Sequence, residues 1–419
     1  MRAQARTQTT EQRILLTATL CLLAYGAVMV YSASSATSVL EGGSGTSYLI
    51  KFVLFSGVGL AVMALASRRG IELIPRLSGP LLALSFVLVL AVHIPHIGVS
   101  INGGRRWVGV GSLRFEPAEL MKLALILYAA TLIAKRPRRV LSLRELWRPL
   151  LLVCGAGCAL VASEPDIGSA MVIVATIFAM LIAAGIPLAQ LARIAAVLAV
   201  LVLVYALARP YARARLTSFL NPWAHAAGSG FQEVQAQIAF GTGGVFGVGP
   251  GQSVQKAFYL PEAPTDFIVA VIGEELGVVG ICALLSLYGM IAYAGLRAAR
   301  RARSLYSAMI AVGCCALILS QALLNVFSVL GLAPLTGVPL PFVSYGSSSL
   351  IVMCCASGLL QAVAGGASAH VRALPDRGVG AGARRGAPAA RSAGSGGAGG
   401  RAGGAAVARA QRSARAGSA

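Results

Sequence analysis

Long uninterrupted apolar blocks constrain this chain more than any other feature of its sequence. Most of the blocks are about 20 residues long, enough for an α-helix to cross a bilayer. They cover residues 14–33, 50–67, 79–95, 118–134, 149–163, 168–186, 190–208, 266–296, 304–330 and 347–367. Charged residues make up only 12% of the chain, about half the share usual in soluble domains. The sequence therefore predicts an all-α polytopic membrane protein with about ten transmembrane helices.

Basic residues alternate with these blocks in a pattern that sets their orientation. Segments rich in Lys and Arg follow the second, fourth and eighth blocks, and such segments face the cytoplasm under the positive-inside rule. The residues concerned are Arg68, Arg69 and Arg76, the six Lys and Arg between Lys135 and Arg148, and Arg297, Arg300, Arg301 and Arg303. Both termini are then cytoplasmic, and the segment 209–265 between helices 7 and 8 is one large extracytoplasmic loop.

The predicted membrane domain, residues 14–367, lies between a short cytoplasmic segment, 1–13, and a basic tail, 368–419. The tail consists mainly of Gly, Ala, Ser and Arg, a composition that predicts disorder. Its arginines contribute to the net charge of +21. The tail is interpreted either as a solubilising extension without a specific partner or as a segment attracted to anionic membrane lipids. Because the charge follows the membrane topology, we expect no specific nucleic-acid partner.

The large outward loop carries a glycine-rich run, Gly241-Thr-Gly-Gly-Val-Phe-Gly-Val-Gly-Pro-Gly251. Such runs also cradle phosphates in nucleotide-binding loops. Here no strand precedes the run and no Gly-Lys-Ser/Thr follows it, which argues against a nucleotide site. An outward loop of this length without evident periodicity still predicts a functional role.

Ionisable residues at membrane depth are costly, so each needs a partner or a function. Glu119 and Lys122 are i, i+3 neighbours that can form an ion pair orienting their helix, or contact a substrate. Glu164 and Asp166 lie in a Pro- and Gly-containing turn at the outer side, either as a polar turn or as part of a site. Asp266 opens the eighth block and is placed at the outer mouth of the bundle, where partial burial can raise its pKa and make it a general base.

Several cations lie outward, against the positive-inside trend. They are Arg105, Arg106, Arg213, Arg215 and Lys256. Cations grouped with a carboxylate predict an anionic, phosphate-bearing substrate handled at the outer leaflet.

An ordered set of motifs over residues 12–365 resembles the SEDS family of membrane proteins (shape, elongation, division and sporulation), which includes the FtsW and RodA types. The motifs are Tyr31-Ser-Ala-Ser34, Gly104-Arg-Arg-Trp107, Phe115-Glu-Pro-Ala-Glu119, Glu164-Pro-Asp-Ile-Gly168, Arg213-Ala-Arg215, Phe219-Leu-Asn-Pro-Trp223, Gly230-Phe-Gln232, Gln255-Lys256, Leu260-Pro-Glu262, Thr265-Asp-Phe-Ile268, Gly273-Glu-Glu-Leu-Gly277, Pro339-Leu-Pro-Phe342 and Ser344-Tyr-Gly346. The segments Asn221-Pro-Trp223, Tyr259-Leu-Pro-Glu-Ala263 and Ile272-Gly-Glu-Glu-Leu-Gly277 resemble the division type, FtsW, more than the elongation type, RodA.

The resemblance implies a SEDS fold and a peptidoglycan glycosyltransferase that polymerises lipid II into glycan strands at the outer face of the bacterial plasma membrane. Asp266 matches the family's essential aspartate and is expected to accept the proton of the attacking sugar hydroxyl. The outward cations would stabilise the departing diphosphate, with a divalent cation such as Mg²⁺ or Mn²⁺ as a further expected helper. Glu119, Lys122 and Ser344 are expected to support the substrate.

The resemblance also implies partners: lipid II, the nascent glycan strand, a class B penicillin-binding protein that acts as transpeptidase, and other division proteins at the septum. Two other functions stay open at this point. One is a flippase that moves lipid II across the membrane. The other is a scaffold that binds and activates the transpeptidase. Within the enzymatic interpretation, a RodA-like role in elongation is the alternative to a role in division.

One departure from the family affects the proposed base. The family often has His directly before its Thr-Asp-Phe stretch, where this chain has Pro264. The sequence therefore leaves open how the backbone around Asp266 is held.

Overall fold

A computed structural model describes residues 8–40, 45–101, 104–110, 113–135, 147–256, 259–260 and 262–369. The predicted disorder of the tail, from residue 370 onward, falls outside the described residues, as does most of the basic segment between Lys135 and Arg148.

Helices dominate the described residues. The first group comprises α1 (Thr10–Leu40), α2 (Ser47–Leu65), α3 (Ile71–Val92), α4 (Pro117–Lys135), α5 (Leu152–Ser163), α6 (Ile167–Ala183) and α7 (Leu188–Ala208). The second group comprises α8 (Pro210–Leu220), α9 (Phe231–Gly243), α10 (Ile268–Arg300), α11 (Leu305–Val329) and α12 (Ser347–Ala364). Short π-helical segments, Ala66–Gly70 and Trp147–Leu151, precede α3 and α5, and a 3₁₀ turn spans Trp223–His225.

Seven helices in the described ranges are long and apolar enough to cross a bilayer, and one of them is the 46-residue stretch Ser47–Val92 that comprises α2 and α3. Two shorter apolar helices, Pro149–Ser163 and Ile167–Ala183, complete the set. Each apolar block of the sequence overlaps a helix, so the prediction of a helical, multi-pass membrane protein is confirmed. The count of about ten spans stays a prediction.

Helical structure continues where a loop was predicted after the second block. Arg68 and Arg69 lie in the π-helical segment that joins α2 to α3. Arginine is a good helix former, so a run of charge ends an apolar block without ending the helix.

A small antiparallel sheet, which was not predicted, interrupts the helical fold between α3 and α4. It has the order β1 (Gly98–Ile101), β2 (Gly104–Val110), β3 (Leu113–Phe115), and its strands pair as consecutive hairpins. The strands are short and carry Gly and Arg, so they lack the sustained apolar alternation by which a strand is recognised.

The predicted irregular loop 209–265 is also partly helical, because it contains α8 and α9. Its α9 packs against α10, and the glycine-rich run follows directly after α9. The segment therefore belongs to the packed body of the protein.

The core lies around α4, α10, α11 and α12, with α1 against α10 and α2 against α12. Small residues let these helices approach closely, as is usual in membrane proteins. A β-carbon at Gly358 of α12, for example, would lie 2.9 Å from the Cα atom of Met63 on α2. By contrast, α7 exposes most of its side chains, as expected for a helix that faces lipid.

Candidate active site

Asp266 lies in a tight turn directly before α10. The amides of Thr265 and Phe267 both donate to the carbonyl oxygen of Glu262, at 3.1 and 3.4 Å. The carbonyl of Pro264 accepts from the amide of Tyr345 at 2.9 Å. The backbone on both sides of Asp266 is thus held by hydrogen bonds, and the turn closes with proline at position 264.

The Asp266 carboxylate and the Arg106 guanidinium both lie close to Gly337. A β-carbon at Gly337 would be 3.4 Å from Oδ2 of Asp266 and 3.8 Å from Nη1 of Arg106. Gly337 has a φ of 69°, a backbone conformation that favours glycine. The structure therefore brings together two residues that are 160 positions apart in the sequence.

The surroundings of Asp266 raise its pKa to about 7. Burial is the largest cause, and the negative charge of Glu262 adds to it. The guanidinium groups of Arg106 and Arg215 act in the opposite direction, and Asp166 raises the pKa slightly further. A carboxylate with a pKa near neutrality can accept a proton and release it again at physiological pH.

The two adjacent arginines of β2, which the sequence grouped together, differ in exposure and in their contacts. The pairing of β1 with β2 is irregular at Arg106, because Ser100 pairs with Arg105 and Val99 with Trp107. Arg106 is half-buried and donates from Nε to the carbonyl of Glu164 at 3.2 Å and from Nη2 to the carbonyl of Pro165 at 2.5 Å. Arg105 is exposed. The structure brings Arg106, and not Arg105, to the Asp266 turn.

The two arginines of α8, Arg213 and Arg215, also differ in exposure. Arg215 is half-buried, and its Nη1 donates to the carbonyl of Leu335 at 2.9 Å. Residues two apart on an α-helix lie about 200° apart around the axis, and Arg213 is accordingly exposed. Arg215 lowers the pKa of Asp266 electrostatically, so it belongs to the same site.

A group of carboxylates lies next to Arg106. Asp166 caps the N-terminus of α6 by accepting from the amide of Ser169 at 3.0 Å, which gives it a structural role. Glu164 is 2% exposed, and neither of its side-chain oxygens has a hydrogen-bond partner among the described residues. Burial and the charge of Asp166 raise the pKa of Glu164 to about 8, against the influence of Arg106. Burial likewise raises the pKa of Glu116.

Glu119 and Lys122 form the ion pair that their spacing allowed. The distance from Nζ of Lys122 to Oε1 of Glu119 is 2.9 Å, and both side chains are buried within α4. The Lys122 ammonium also donates to Oε1 of Gln321 on α11 at 2.7 Å. Of the two roles predicted for this pair, the contacts fit the one in which it orients α4 against a neighbouring helix.

Lys256 and Ser344, both expected to bind the substrate, are buried and hydrogen-bonded within the protein. The Lys256 ammonium contacts Oε1 of Glu275 at 2.8 Å and donates to the carbonyl of Gly251 at 2.8 Å and to Oγ of Ser32 at 3.1 Å. The Ser344 hydroxyl accepts from the amide of Leu340 at 2.9 Å. The substrate-binding roles of both residues stay predictions.

The glycine-rich run fills a break in α10. Gly277, with φ 63° and ψ −160°, interrupts the helix and frees backbone groups on both sides. The amides of Val248 and Gly249 donate to the carbonyls of Glu274 and Glu275 at 2.9 and 3.1 Å.

On the other side of the break, the amides of Val278 and Val279 donate to the carbonyls of Gly244 and Val245, at 3.1 and 3.2 Å. The run therefore provides the hydrogen bonds that a broken membrane helix lacks.

The two carboxylates before the break are held by the segment that follows the glycine-rich run. Glu274 accepts from the hydroxyl of Ser253 and from the amide of Val254. Glu275 accepts from Ser32 and Lys256. The first part of α10, which carries the Asp266 turn, is thereby joined to the segment 244–256.

Sequence reasoning missed two residues that lie beside the Asp266 turn, Asn325 and Gly337. The side-chain amide of Asn325 donates to the carbonyl of Asp266, and Gly337 lies close to its carboxylate. Asn325 is a single amide within the apolar block of α11, and a polar residue at that depth was the signal that could have identified it.

Among the residues that the structure describes, no group of three or more His, Cys, Asp or Glu is placed to hold a metal ion. The divalent cation expected from the family resemblance stays a prediction.

The FtsW/RodA/SpoVE family, described as cell cycle proteins, matches residues 12–368 of this chain. The chain belongs to this family. The resemblance inferred from the motifs is thus confirmed over the whole membrane domain.

Curated relatives in the family cover most of the chain. A protein of Coxiella burnetii called probable peptidoglycan glycosyltransferase FtsW is 41% identical over 351 residues, which are 83% of this chain and 94% of the relative. The stage V sporulation protein E of Bacillus subtilis is 37% identical over 353 residues, which are 84% of this chain and 96% of the relative.

Solved structures of the family share the fold. A chain of a peptidoglycan synthase complex, studied for its coordination of polymerization and crosslinking, has a TM-score of 0.70 at 28% identity, with 84% of this chain and 96% of that chain covered. The rod shape determining protein RodA of Thermus thermophilus has a TM-score of 0.59 at 26% identity, with 84% and 95% covered.

Proposed function

We propose that this FtsW/RodA/SpoVE-family protein is a peptidoglycan glycosyltransferase that polymerises lipid II into glycan strands at the outer face of the plasma membrane. The observation that carries the proposal is the placement of the Asp266 carboxylate and Arg106 together beside Gly337, with Arg215 close enough to influence the pKa of Asp266. The relatives called peptidoglycan glycosyltransferase support it. The similarity to FtsW proteins supports a role in septal wall synthesis rather than elongation.

In the proposed reaction, Asp266 accepts the proton of the 4-hydroxyl group on the acceptor sugar. The hydroxyl oxygen then attacks the anomeric carbon of the donor, and the bond from that carbon to the lipid diphosphate breaks. Inversion at the carbon gives a β-1,4 linkage, and the proton stays on Asp266 until solvent removes it. Arg106 and Arg215 stabilise the negative charge that develops on the diphosphate.

The arrangement supports a flippase less well. A transport path needs polar groups free to interact with a moving headgroup at successive depths. The ionisable groups at depth in α4 and α10 instead bind one another or the backbone, as described for Glu119, Lys122, Glu274 and Glu275.

A partner also follows from the similarity to a chain of a peptidoglycan synthase complex. We propose that a class B penicillin-binding protein binds this chain and crosslinks the strands it makes, within the division machinery at the septum.

The test is a gel assay of glycan products made from labelled lipid II by the purified chain with its transpeptidase. Replacing Asp266 with Asn keeps the shape of the side chain and removes the base, so strand synthesis is expected to stop. Copurification of the transpeptidase should remain unchanged. Normal polymerisation by Asp266→Asn would refute the enzymatic role of this residue.

A further inference from the structure

Helix α11 presents a polar face inside an otherwise apolar span. Gln321, Asn325 and Ser328 follow one another at intervals of four and three residues, which places them on the same side of the helix. Each is buried, with relative exposures of 0%, 2% and 4%. Polar groups at membrane depth are retained when they have a specific partner or task.

All three side chains bind one extended segment, Pro334–Pro339. Gln321 Nε2 donates to the carbonyl of Pro339 at 3.0 Å. Asn325 Nδ2 donates to the carbonyl of Val338 at 2.8 Å. Ser328 Oγ lies 3.2 Å from the carbonyl of Pro334 and 3.2 Å from Oγ1 of Thr336. The polar face therefore fixes the segment along its length.

The same segment assembles the candidate active site. Its Leu335 carbonyl accepts from Arg215, and its Gly337 lies close to both Asp266 and Arg106. Asn325 adds a second contact of its own, because Nδ2 also donates to the carbonyl of Asp266 at 2.9 Å. The side-chain amide of Asn325 thus joins the backbone of Asp266 to the segment that contacts Arg215 and lies close to Arg106.

We propose, on the basis of the proposed function, that Asn325 is a positioning residue that holds Asp266 in register with Arg106 and Arg215. Both of its acceptors are carbonyl oxygens, so the amide nitrogen must face them and the side chain has one productive orientation. Asp266 precedes the first turn of α10, so the helix itself does not hold it. Asn325 supplies a bond to its carbonyl that the helix does not.

Gln321 extends this network to the buried ion pair of α4. Its Oε1 accepts from Lys122, and its Nε2 donates both to Pro339 and to Oγ of Ser349 on α12 at 3.1 Å. Gln321 thereby connects the ion pair of Glu119 and Lys122 to the segment 334–339. Their loss should change the same kinetic parameter as the loss of Asn325.

The test compares Asn325→Leu with Ser328→Ala in the assembled complex, using labelled lipid II. Leucine has the same number and branching of side-chain heavy atoms as asparagine but donates no hydrogen bond. Ser328→Ala removes a contact to the same segment and leaves Asp266 untouched. We expect kcat of Asn325→Leu to fall about 10- to 100-fold with KM within about twofold, because a displaced general base slows the chemical step.

The pH dependence separates positioning from general support of the fold. In Asn325→Leu the acidic limb of kcat should move, since Asp266 changes its distance to the charges around it, whereas in Ser328→Ala it should stay in place. If Asn325→Leu is not stably folded, Asn325→Ser tests the same point, because its short hydroxyl cannot bridge both carbonyls and kcat should fall several-fold.

Wild-type kcat and an unmoved pH profile in either Asn325 variant would overturn the positioning role. A wild-type complex without polymerase activity would refute the proposed function itself, so the two failures are distinguishable.

Discussion

A carboxylate that accepts a proton from a sugar hydroxyl works best when its own pKa is close to the working pH. Burial and Glu262 raise the pKa of Asp266 to about 7, despite the two nearby guanidinium groups. Below this pH Asp266 is protonated and cannot act as a base. The rate of polymerisation should therefore rise with pH, with a midpoint near 7, and level off above it. Rates measured from pH 5.5 to 9 test this, and a flat profile would contradict it.

The charge of Glu262 offers a control for that assignment. Because Glu262 raises the pKa of Asp266, Glu262→Gln should lower it and move the acidic limb of the rate profile to lower pH. The plateau rate should stay within a few-fold of wild type. A limb that moves to higher pH, or does not move, would show that another group controls the profile.

The two adjacent arginines of β2 form a matched pair for testing charge stabilisation. Arg106 binds the backbone of residues 164 and 165 and lies near Asp266, whereas Arg105 is exposed. Arg106→Ala should reduce kcat about 100-fold, the loss typical for one transition-state donor. Arg105→Ala should change it less than about threefold. Equal losses in steady-state assays would contradict the division of roles between the two arginines.

The sequence was informative about Asp266 because a carboxylate at the start of an apolar block is unusual by itself. It was not informative about which cations face it. Arg105 and Arg106 are chemically alike, and only their contacts in the structure show which one is near. Lys256 was grouped with the outward cations because its partner Glu275 lies 19 residues further along the chain, and pairing at that distance depends on the break in α10.

At the scale of elements, the break in α10 allows the segment 244–256 to bind the part of α10 that follows the Asp266 turn. A β-carbon at Gly277 would lie 2.5 Å from the amide nitrogen of Gly247 and from the carbonyl oxygen of Val245. The close approach allows the segment 244–249 to hydrogen-bond both ends of the break. Helix propensity alone would predict a continuous helix here, which explains why sequence reasoning placed Glu274 and Glu275 on one uninterrupted span.

Replacing Gly277 with Ala should therefore destabilise the protein by about 2 kcal/mol or more, through the positive φ and the close contacts together. Gly289→Ala is the matched control on the same helix, because that position is exposed and a β-carbon there meets no atom within 4 Å. Thermal unfolding in detergent compares the two. Similar melting temperatures for both variants would show that the break is not held tightly.

The ion pair between Lys256 and Glu275 should behave as a buried pair. Lys256→Met leaves the Glu275 carboxylate without its cation and should cost about 3 to 5 kcal/mol. Adding Glu275→Gln removes the stranded charge, so the double variant should be more stable than Lys256→Met alone. If the double variant is less stable than the single one, the pair is not the main partner of either group.

The helices were the best-predicted elements, because apolar blocks of spanning length have few alternatives in a membrane. The sheet between α3 and α4 was missed, since its strands have four, seven and three residues and depend on pairing with one another. The helices α8 and α9 were missed because they are neither long nor continuously apolar. These are the elements that carry Arg106 and Arg215, so the parts of the fold that shape the site were the least visible in the sequence.

At the scale of the whole molecule, the distribution of charge and the position of the site make one joint prediction. The positive-inside rule places Arg303, between the C-terminus of α10 and the N-terminus of α11, in the cytoplasm. It places the segment with α8 and α9 outside. The Asp266 turn lies at the opposite end of α10 from Arg303, so it must be outside if Arg303 is inside. A polymerase that uses lipid II at the outer leaflet requires this orientation.

Reporter fusions at two exposed positions test it. Alkaline phosphatase fused after Gly228 should be active, because it folds only outside the cytoplasm, and green fluorescent protein fused after Arg303 should fluoresce, because it folds inside. Exchanging the two reporters should abolish both signals. The reverse pattern would place Asp266, Arg106 and Arg215 at the cytoplasmic face, where they could not act on the outer leaflet, and the polymerase assignment would fail together with the topology.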